Sequence, residues 1–275
     1  MMGELPRAAV IQDLSGFGRC SLTAAAPVLS AMGVQCCPLV TAVFSTHTGI
    51  PGAVYTDLTS QLSSTLDHWQ ELGLTFDAVC SGFLGSAEQA ALVSRAARTL
   101  KGRKGLWLVD PVMGDHGSVY RTCTPEVCAG VTALAERADL ITPNLTEAAL
   151  LLGLEPSARP RDRGELERWA GLLSRDGARG VVITGVTQDD GVGAFWRMGR
   201  ESGLALAARV PAQYPGTGDL FAAVLLGGLL RRESLADAVR RAVDFVAACV
   251  RSTWEAGTPA AHGVLLEREL GRLLR

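Results

Sequence analysis

The sequence predicts an α/β fold in which a mostly parallel sheet is covered by helices on both faces. Three observations predict it. Short apolar runs alternate with helical patterns along most of the chain, which is the signature of strands joined by crossover helices. Near the end, turn glycines within alternating apolar residues signal antiparallel hairpins. No repeat, low-complexity tract or Pro/Ser-rich linker interrupts the pattern, so one domain spanning residues 1–275 accounts for it.

Taken in order, RAAVIQD (7–13) reads as the first strand, 21–33 as a helix closed by Gly33, and 34–44 as the second strand region. Residues 55–73 read as a helix that Gly73 stops. A buried strand over 77–83, a helix over 86–102 and a strand over 105–112 follow. The alternation continues with a helix over 124–138, a strand end over 139–144, and helices from TEAALLLGL (146–154) and RGELERWAGLLSRDG (163–177). GVVITG (180–185) is a strand and 189–210 a hairpin region. LFAAVLLGGLL (220–230) is too short to span a membrane and reads as a buried helix. Arg251, Trp254 and Glu255 are expected beyond the last helix, as a nucleotide cover or as packing.

Composition narrows the function classes. The chain has 275 residues, 48% of them hydrophobic and 20% charged, enough for a large core. A formal net charge of −2 without a basic run disfavours a nucleic-acid partner. The mixed-sign tract 159–168 reads as a solvated helix face. No charged n-region leads into a long apolar core, and no membrane span is expected. The seven cysteines (20, 36, 37, 80, 123, 128 and 249) include no C-x-x-C pair, so reduced thiols in a cytoplasmic protein are expected. The four histidines show no zinc spacing.

Three clusters fall at predicted strand ends, where open α/β sheets bind ligands. In PGTGDLFAA, Gly216 and Gly218 permit a tight turn, and the free N–H groups of the next helix make an anion site beside Asp219. The alternative is that Thr217 or Asp219 simply caps that helix. In VDPVMGDHGSVY, Asp110 ends a strand and Asp115 lies in a glycine-flanked loop; two such acids suit a divalent cation, or plain turn chemistry. In ITPNLTEAALLLG, Asn144 and Glu147 place an amide and a carboxylate on one loop, suited to water-mediated Mg²⁺, with Thr146 and Glu147 as helix-start residues in the other reading. Together the clusters fit phosphoryl transfer, and no G-x-x-x-x-G-K-[ST] element is present.

PGTGDLFAA, VDPVMGD and ITPNLTEAALLLG together resemble the ribokinase-like superfamily, and FSTHTG with SGFLG is most similar to its pyridoxal/pyridoxine (vitamin B6) kinases. The resemblance runs from VIQDLSGFGRCSLTAAAPVLSAMGV to the glycine–aspartate helix and implies a three-layer α/β/α ribokinase-like fold. It implies Asp219 as catalytic base with Gly216, Thr217 and Gly218 as the anion hole. It implies Asn144, Glu147 and Asp110 around Mg²⁺, Asp115 and Tyr120 in a loop over phosphates and substrate, and Thr184 on the nucleotide phosphates. His47, Thr48 and Phe83 match positions around the pyridine ring. ATP is the implied donor, a monovalent cation such as K⁺ a further ion, and a homodimer the implied assembly.

Two departures stand out. Asp13 occupies a position that is often serine in such kinases, where its carboxylate would bind the acceptor ring or hold the loop 15–18; Gly185 replaces a hydroxyl residue after Thr184. The implied reaction is phosphorylation of the 5′-hydroxymethyl group of a B6 vitamer. Hydroxymethylpyrimidine is the alternative acceptor, and a non-catalytic B6- or nucleotide-binding protein the alternative class.

Overall fold

A computed structural model of the protein describes residues 5–175, 177 and 179–274. One nine-stranded sheet organises it, in the order β11-β10-β9-β8-β5-β4-β1-β2-β3. The strands are β1 (Arg7–Ser15), β2 (Gln35–Phe44), β3 (Tyr55–Asp57), β4 (Phe76–Ser81), β5 (Lys101–Val109), β8 (Leu140–Ile141), β9 (Gly180–Gln188), β10 (Gly191–Met198) and β11 (Glu201–Ala208). A separate ribbon pairs β6 (Gly114–Asp115) with β7 (Ser118–Val119). The inner pairings from β2 through β9 are parallel, whereas β3, β10 and β11 join antiparallel.

Both faces are covered, which is why the buried stretches of the inner strands, such as residues 8–11, 78–80 and 107–109, are apolar. On one face, α2 (Thr59–Glu71), α3 (Ala87–Thr99), α4 (Pro125–Ala135), α5 (Leu145–Leu151) and α6 (Arg163–Leu173) share a core with Ile11, Val79, Val109 and Ile183. On the other, α1 (Ser21–Ala31), α7 (Thr217–Leu230) and α8 (Leu235–Glu255) pack on Val10, Ala78, Leu108 and Val182. Helix α7 is buried from Leu220 to Gly228, so it needs no polar face and reads as a continuous apolar run.

The chain leaves β1 for β2 on one side and later builds β4, β5, β8 and β9 on the other. The order therefore reverses between β1 and β4, and the crevice outside their carboxyl ends is where such sheets bind ligands.

Several expectations are corrected. Residues 55–57 form the edge strand β3, not the first turn of a helix; Asp57 Oδ1 then accepts the Thr59 N–H at 2.9 Å and starts α2. Arg251, Trp254 and Glu255 lie inside α8 rather than after it. Cys123 and Cys128 form a disulfide instead of two thiols. The reason is helical: with Thr124 as N-cap of α4, these residues occupy the positions before the cap and one turn in, which pack on each other at many helix starts. The predicted helix 163–177 ends at Leu173, and its Asp176 lies outside the described residues, as do residues 1–4 of the N-terminal stretch. The ribbon β6–β7 was not anticipated; His116 (φ 50°) and Gly117 (φ 81°) give it the two left-handed central residues of a tight hairpin turn. No helix among the described residues is long and apolar enough to cross a membrane.

Leu225 is fully buried in α7, the helix that carries Asp219. Leu225→Ala is expected to cost about 2–5 kcal/mol of unfolding free energy, read as a lower urea midpoint at unchanged m-value.

Candidate active site

The site begins with a helix that lacks a cap. Helices α3, α4, α5, α6 and α8 each start with an N-cap side chain accepting a backbone N–H, whereas α1, α2 and α7 have no such bond from their N-cap residue. Its N-cap is Gly216 at φ 82°, and Asp219 stands three residues on. A Cβ at Gly216 would come within 1.9 Å of the Arg19 carbonyl oxygen, so only glycine lets the start of α7 lie against the loop before α1. At Gly218 a Cβ would meet no protein atom within 4 Å, which leaves bare backbone for a ligand to approach. Helix-start N–H groups without partners attract anions.

The Asp219 carboxylate does not cap its own helix. It takes the Ser21 backbone N–H at the start of α1, where Ser21 itself is left-handed at φ 48°. Burial raises its pKa to about 7; the Ser21 N–H opposes that, and Asp110 and Asp13 add to it. The simple capping reading of Asp219 is thereby excluded.

Asp110 follows β5 and is buried, accepting the Thr142 hydroxyl at 2.8 Å. Burial lifts its pKa to about 6 against that hydrogen bond. Glu147 is buried as well, and its carboxyl is pushed well above the usual range by burial first and by Asp110 second. Its oxygens accept the Met113 N–H at 3.2 Å and the Asn144 N–H at 2.9 Å. Asn144 returns the bond: its Oδ1 accepts the Thr146 and Glu147 N–H groups at 2.8 and 3.0 Å, a reciprocal cap for α5. The cap is thus Asn144 and not Thr146. Asn144 Nδ2 donates to the Gly114 carbonyl at 2.8 Å and so ties the ribbon to α5.

That ribbon brings Asp115 and Tyr120 over the site. Gly117 N–H donates to Thr146 Oγ1 at 2.9 Å, and Asp115 Oδ1 accepts the His116 N–H at 2.7 Å. Burial pushes the Tyr120 phenol up, with Glu147, Asp115, Asp110 and Asp219 all adding, so it lies in the field of four carboxylates. Thr184 bridges to Asn144 and donates its N–H to the Pro143 carbonyl at 2.9 Å. Its strand β9 runs on to Gln188 rather than ending there.

Near the carboxyl end of β1, Asp13 is buried and raised in pKa by that burial; the hydroxyls of Ser21 and Ser15 oppose the shift, the latter at 3.1 Å. The hydrogen bonds on the Asp13 carboxylate thus come from the hydroxyls of Ser21, at the start of α1, and Ser15, at the end of β1, and from its own backbone N–H. His47 is buried, with Nε2 donating to the Ala261 carbonyl at 2.8 Å and Nδ1 accepting the Gly49 N–H at 3.1 Å. Its ring edge fills the space a Cβ would need at Gly18, at 2.3 Å. His47 thus offers a ring face and no free nitrogen. Thr48 is exposed; Phe83 is half-buried edge-on to Phe44. Ser21 and Ser15 were missed by sequence reasoning, because a serine near a turn carries no distinguishing signal.

Among the described residues no basic side chain forms an ion pair with Asp13, Asp110, Glu147 or Asp219. No group of three or more His, Cys, Asp or Glu converges on one point among them either. The donor set Asp110 and Glu147, hard oxygens without a cationic partner, fits Mg²⁺ held through few protein ligands and several waters.

Comparison with known proteins identifies the family of the chain. The sequence model of the phosphomethylpyrimidine kinase family matches residues 23–264. A Bacteroides thetaiotaomicron protein named for phosphomethylpyrimidine kinase and crystallised with pyridoxal is 36% identical, with a TM-score of 0.92 over 98% of this chain and 96% of that one. Pyridoxal kinase from Lactobacillus plantarum is 34% identical, with a TM-score of 0.90 over 98% and 97%. A pyridoxal kinase of Pseudomonas putida is 30% identical over 98% of this chain and 90% of that protein.

An acid whose folded pKa exceeds its unfolded value binds more protons folded than unfolded between the two, so stability falls as pH rises through that window. For Asp219 the window runs from the ordinary 3.8 to about 7. The melting temperature of the ligand-free protein is expected to decline from pH 5 to pH 7.5, and Asp219→Asn to flatten that decline. A parallel profile in the variant would show that Asp219 ionises normally.

Proposed function

The chain belongs to the phosphomethylpyrimidine kinase family, and from that premise we propose that it transfers the γ-phosphoryl group of ATP to the 5′-hydroxymethyl group of a B6 vitamer. The observation that carries the reading is Asp219, a carboxylate near pKa 7 at an uncapped helix start and bound by a different helix. A base with that pKa is half ionised at neutral pH and strong enough to take an alcohol proton.

The alcohol oxygen attacks the γ-phosphorus, the bond to the β–γ bridging oxygen breaks, and ADP leaves. The alcohol proton passes to Asp219. The free N–H groups from Thr217 to Asp219 face the charge on the transferring group, and Gly218 leaves the approach open. Asp110 and Glu147 would hold Mg²⁺, which when bound neutralises phosphate charge; Asn144 keeps Glu147 in place by the reciprocal cap. Tyr120 and Asp115 cover the phosphates from the ribbon, and Thr184 joins them from β9. Asp13, the face of His47, Thr48 and Phe83 surround the acceptor ring. Hydroxymethylpyrimidine presents the same alcohol on a flat ring, and the family carries the name of its phosphate. The whole-length similarity to pyridoxal kinases and the relative crystallised with pyridoxal favour B6.

The same reading includes a cytoplasmic homodimer and a monovalent cation. Support for the dimer is the exposure of Val43, Val54 and Tyr55 at the β2–β3 end of the sheet. Five cysteines are free thiols, which suits a reducing compartment.

Asp219→Asn is expected to retain ATP binding while turnover with pyridoxal falls by about 10²-fold or more, measured by ADP release. Near wild-type kcat would remove Asp219 from the chemistry. Glu147→Gln, at saturating substrates, is expected to raise the Mg²⁺ concentration for half-maximal rate, because a hard cation loses a charged ligand. An unchanged titration would make Glu147 a cap alone.

A further inference from the structure

A lone two-stranded ribbon is marginally stable in water, so its position depends on what it rests against. In β6–β7, Gly114 pairs with Val119 and Asp115 with Ser118, and both residues of β7 are exposed. Two bonds reach this ribbon from the start of α5. Asn144 Nδ2 donates to the Gly114 carbonyl at 2.8 Å, and the Gly117 N–H at the tip donates to Thr146 Oγ1 at 2.9 Å. The tip also meets the segment that follows α5. A Cβ on Gly117 would stand 3.3 Å from Ser157 Cα and 3.7 Å from Arg159 Nη2. Thr146 is 1% exposed, and its hydroxyl is not needed as a cap, because Asn144 caps α5. That oxygen accepts a second bond instead, from Arg159 Nη2 at 3.2 Å. Arg159 is held for this by its own segment, with Nη1 donating to the carbonyls of Pro156 at 3.0 Å and Ala158 at 2.6 Å. A hydroxyl oxygen has two acceptor sites, and Gly117 and Arg159 use both. One buried oxygen thus joins the ribbon tip, the start of α5 and the chain after α5.

We propose that Thr146 is a positioning residue for the nucleotide: its hydroxyl, with its rotamer fixed by Arg159, latches the tip of the ribbon. Through the ribbon it sets where Asp115 and Tyr120 lie, and so how tightly the phosphates are held. The inference rests on the kinase reading above and adds to it the two residues that keep the ribbon down. A ribbon that covers the phosphates does so before and during transfer, so loosening it weakens binding in both states and raises KM rather than lowering kcat. Thr146→Val keeps the shape of the side chain and removes only the oxygen; the Thr146 N–H, being backbone, still bonds Asn144 Oδ1. Thr146→Ser keeps the oxygen and removes the methyl group.

The test measures kcat and KM for ATP, with pyridoxal as acceptor, and amide hydrogen exchange over residues 113–120 in the ligand-free protein, which needs no turnover. Thr146→Val is expected to raise KM for ATP by about tenfold, the scale of one lost hydrogen bond, with kcat within about twofold of the wild type. Its ribbon amides are expected to exchange about tenfold faster, and Thr146→Ser to restore both readouts. Arg159→Met is expected to raise KM for ATP by about threefold, and the double variant to match Thr146→Val alone, because Arg159 acts through the Thr146 oxygen. Arg159 is exposed, so this variant carries the test should Thr146→Val fail to fold. An unchanged KM for ATP in the folded variants overturns the inference, as does Thr146→Ser behaving like Thr146→Val, which would make Thr146 a packing residue. Ribbon exchange at the wild-type rate in Thr146→Val overturns the latch itself. A wild type inactive on every acceptor overturns the kinase reading and with it the nucleotide role, while the exchange rates still decide whether Thr146 holds the ribbon.

Discussion

Four carboxyl groups are gathered about the carboxyl ends of the inner strands, with no basic side chain among the described residues in an ion pair with them, and the rest of the site is arranged around that cost. Burial is the largest cause of the raised pKa at Asp13, Asp110, Glu147 and Asp219 alike. Asp110 is the hub, since it raises both Glu147 and Asp219. What makes the cluster tolerable is a set of small donors: the N–H groups of Ser21, Met113 and Asn144, and the hydroxyls of Thr142, Ser15 and Ser21. Hydrogen bonds of this kind stabilise the charged forms without supplying a full counter-charge. The site is left able to hold protons near neutral pH, and complementary to cations.

Backbone proximity is the second requirement, and glycine meets it at a few positions. The start of α7 can reach the Arg19 carbonyl only because Gly216 lacks a Cβ, and this contact sets Asp219 beside α1. Gly18, left-handed at φ 90°, makes room for the His47 ring in the same way. His47 then reaches the Ala261 carbonyl, while Arg19 pairs with Glu267 at 2.8 Å and donates to the His262 carbonyl at 3.0 Å. The glycine-rich loop after β1 is thereby fastened to the segment that follows α8. This corner of the crevice is consequently built from parts distant in sequence.

The sheet and most helices were legible because their apolar runs are long and their stops are glycines such as Gly33 and Gly73. Residues 55–57 were not: Tyr-Thr-Asp continues a plausible helical pattern, and only pairing with Ala42, Val43 and Phe44 makes them a strand. The disulfide was missed since C-x4-C has no motif value until the helix start between the two cysteines is known. In the site, Asp219, Asp110, Asn144 and Glu147 stand out in sequence through glycines and strand ends. Ser15 and Ser21 do not, because a serine near a turn looks like any other; only their hydrogen bonds to the buried Asp13 single them out.

The account stands or falls on the protonation of Asp219 in the ligand-free protein. Carbon-13 NMR of aspartate-labelled protein, titrated from pH 4 to pH 9, reads the carboxyl directly. The result predicted is one carboxyl resonance with a midpoint near 7 that is absent from Asp219→Asn and moves to lower pH in Asp110→Asn. An Asp219 resonance already fully ionised by pH 5 would contradict it.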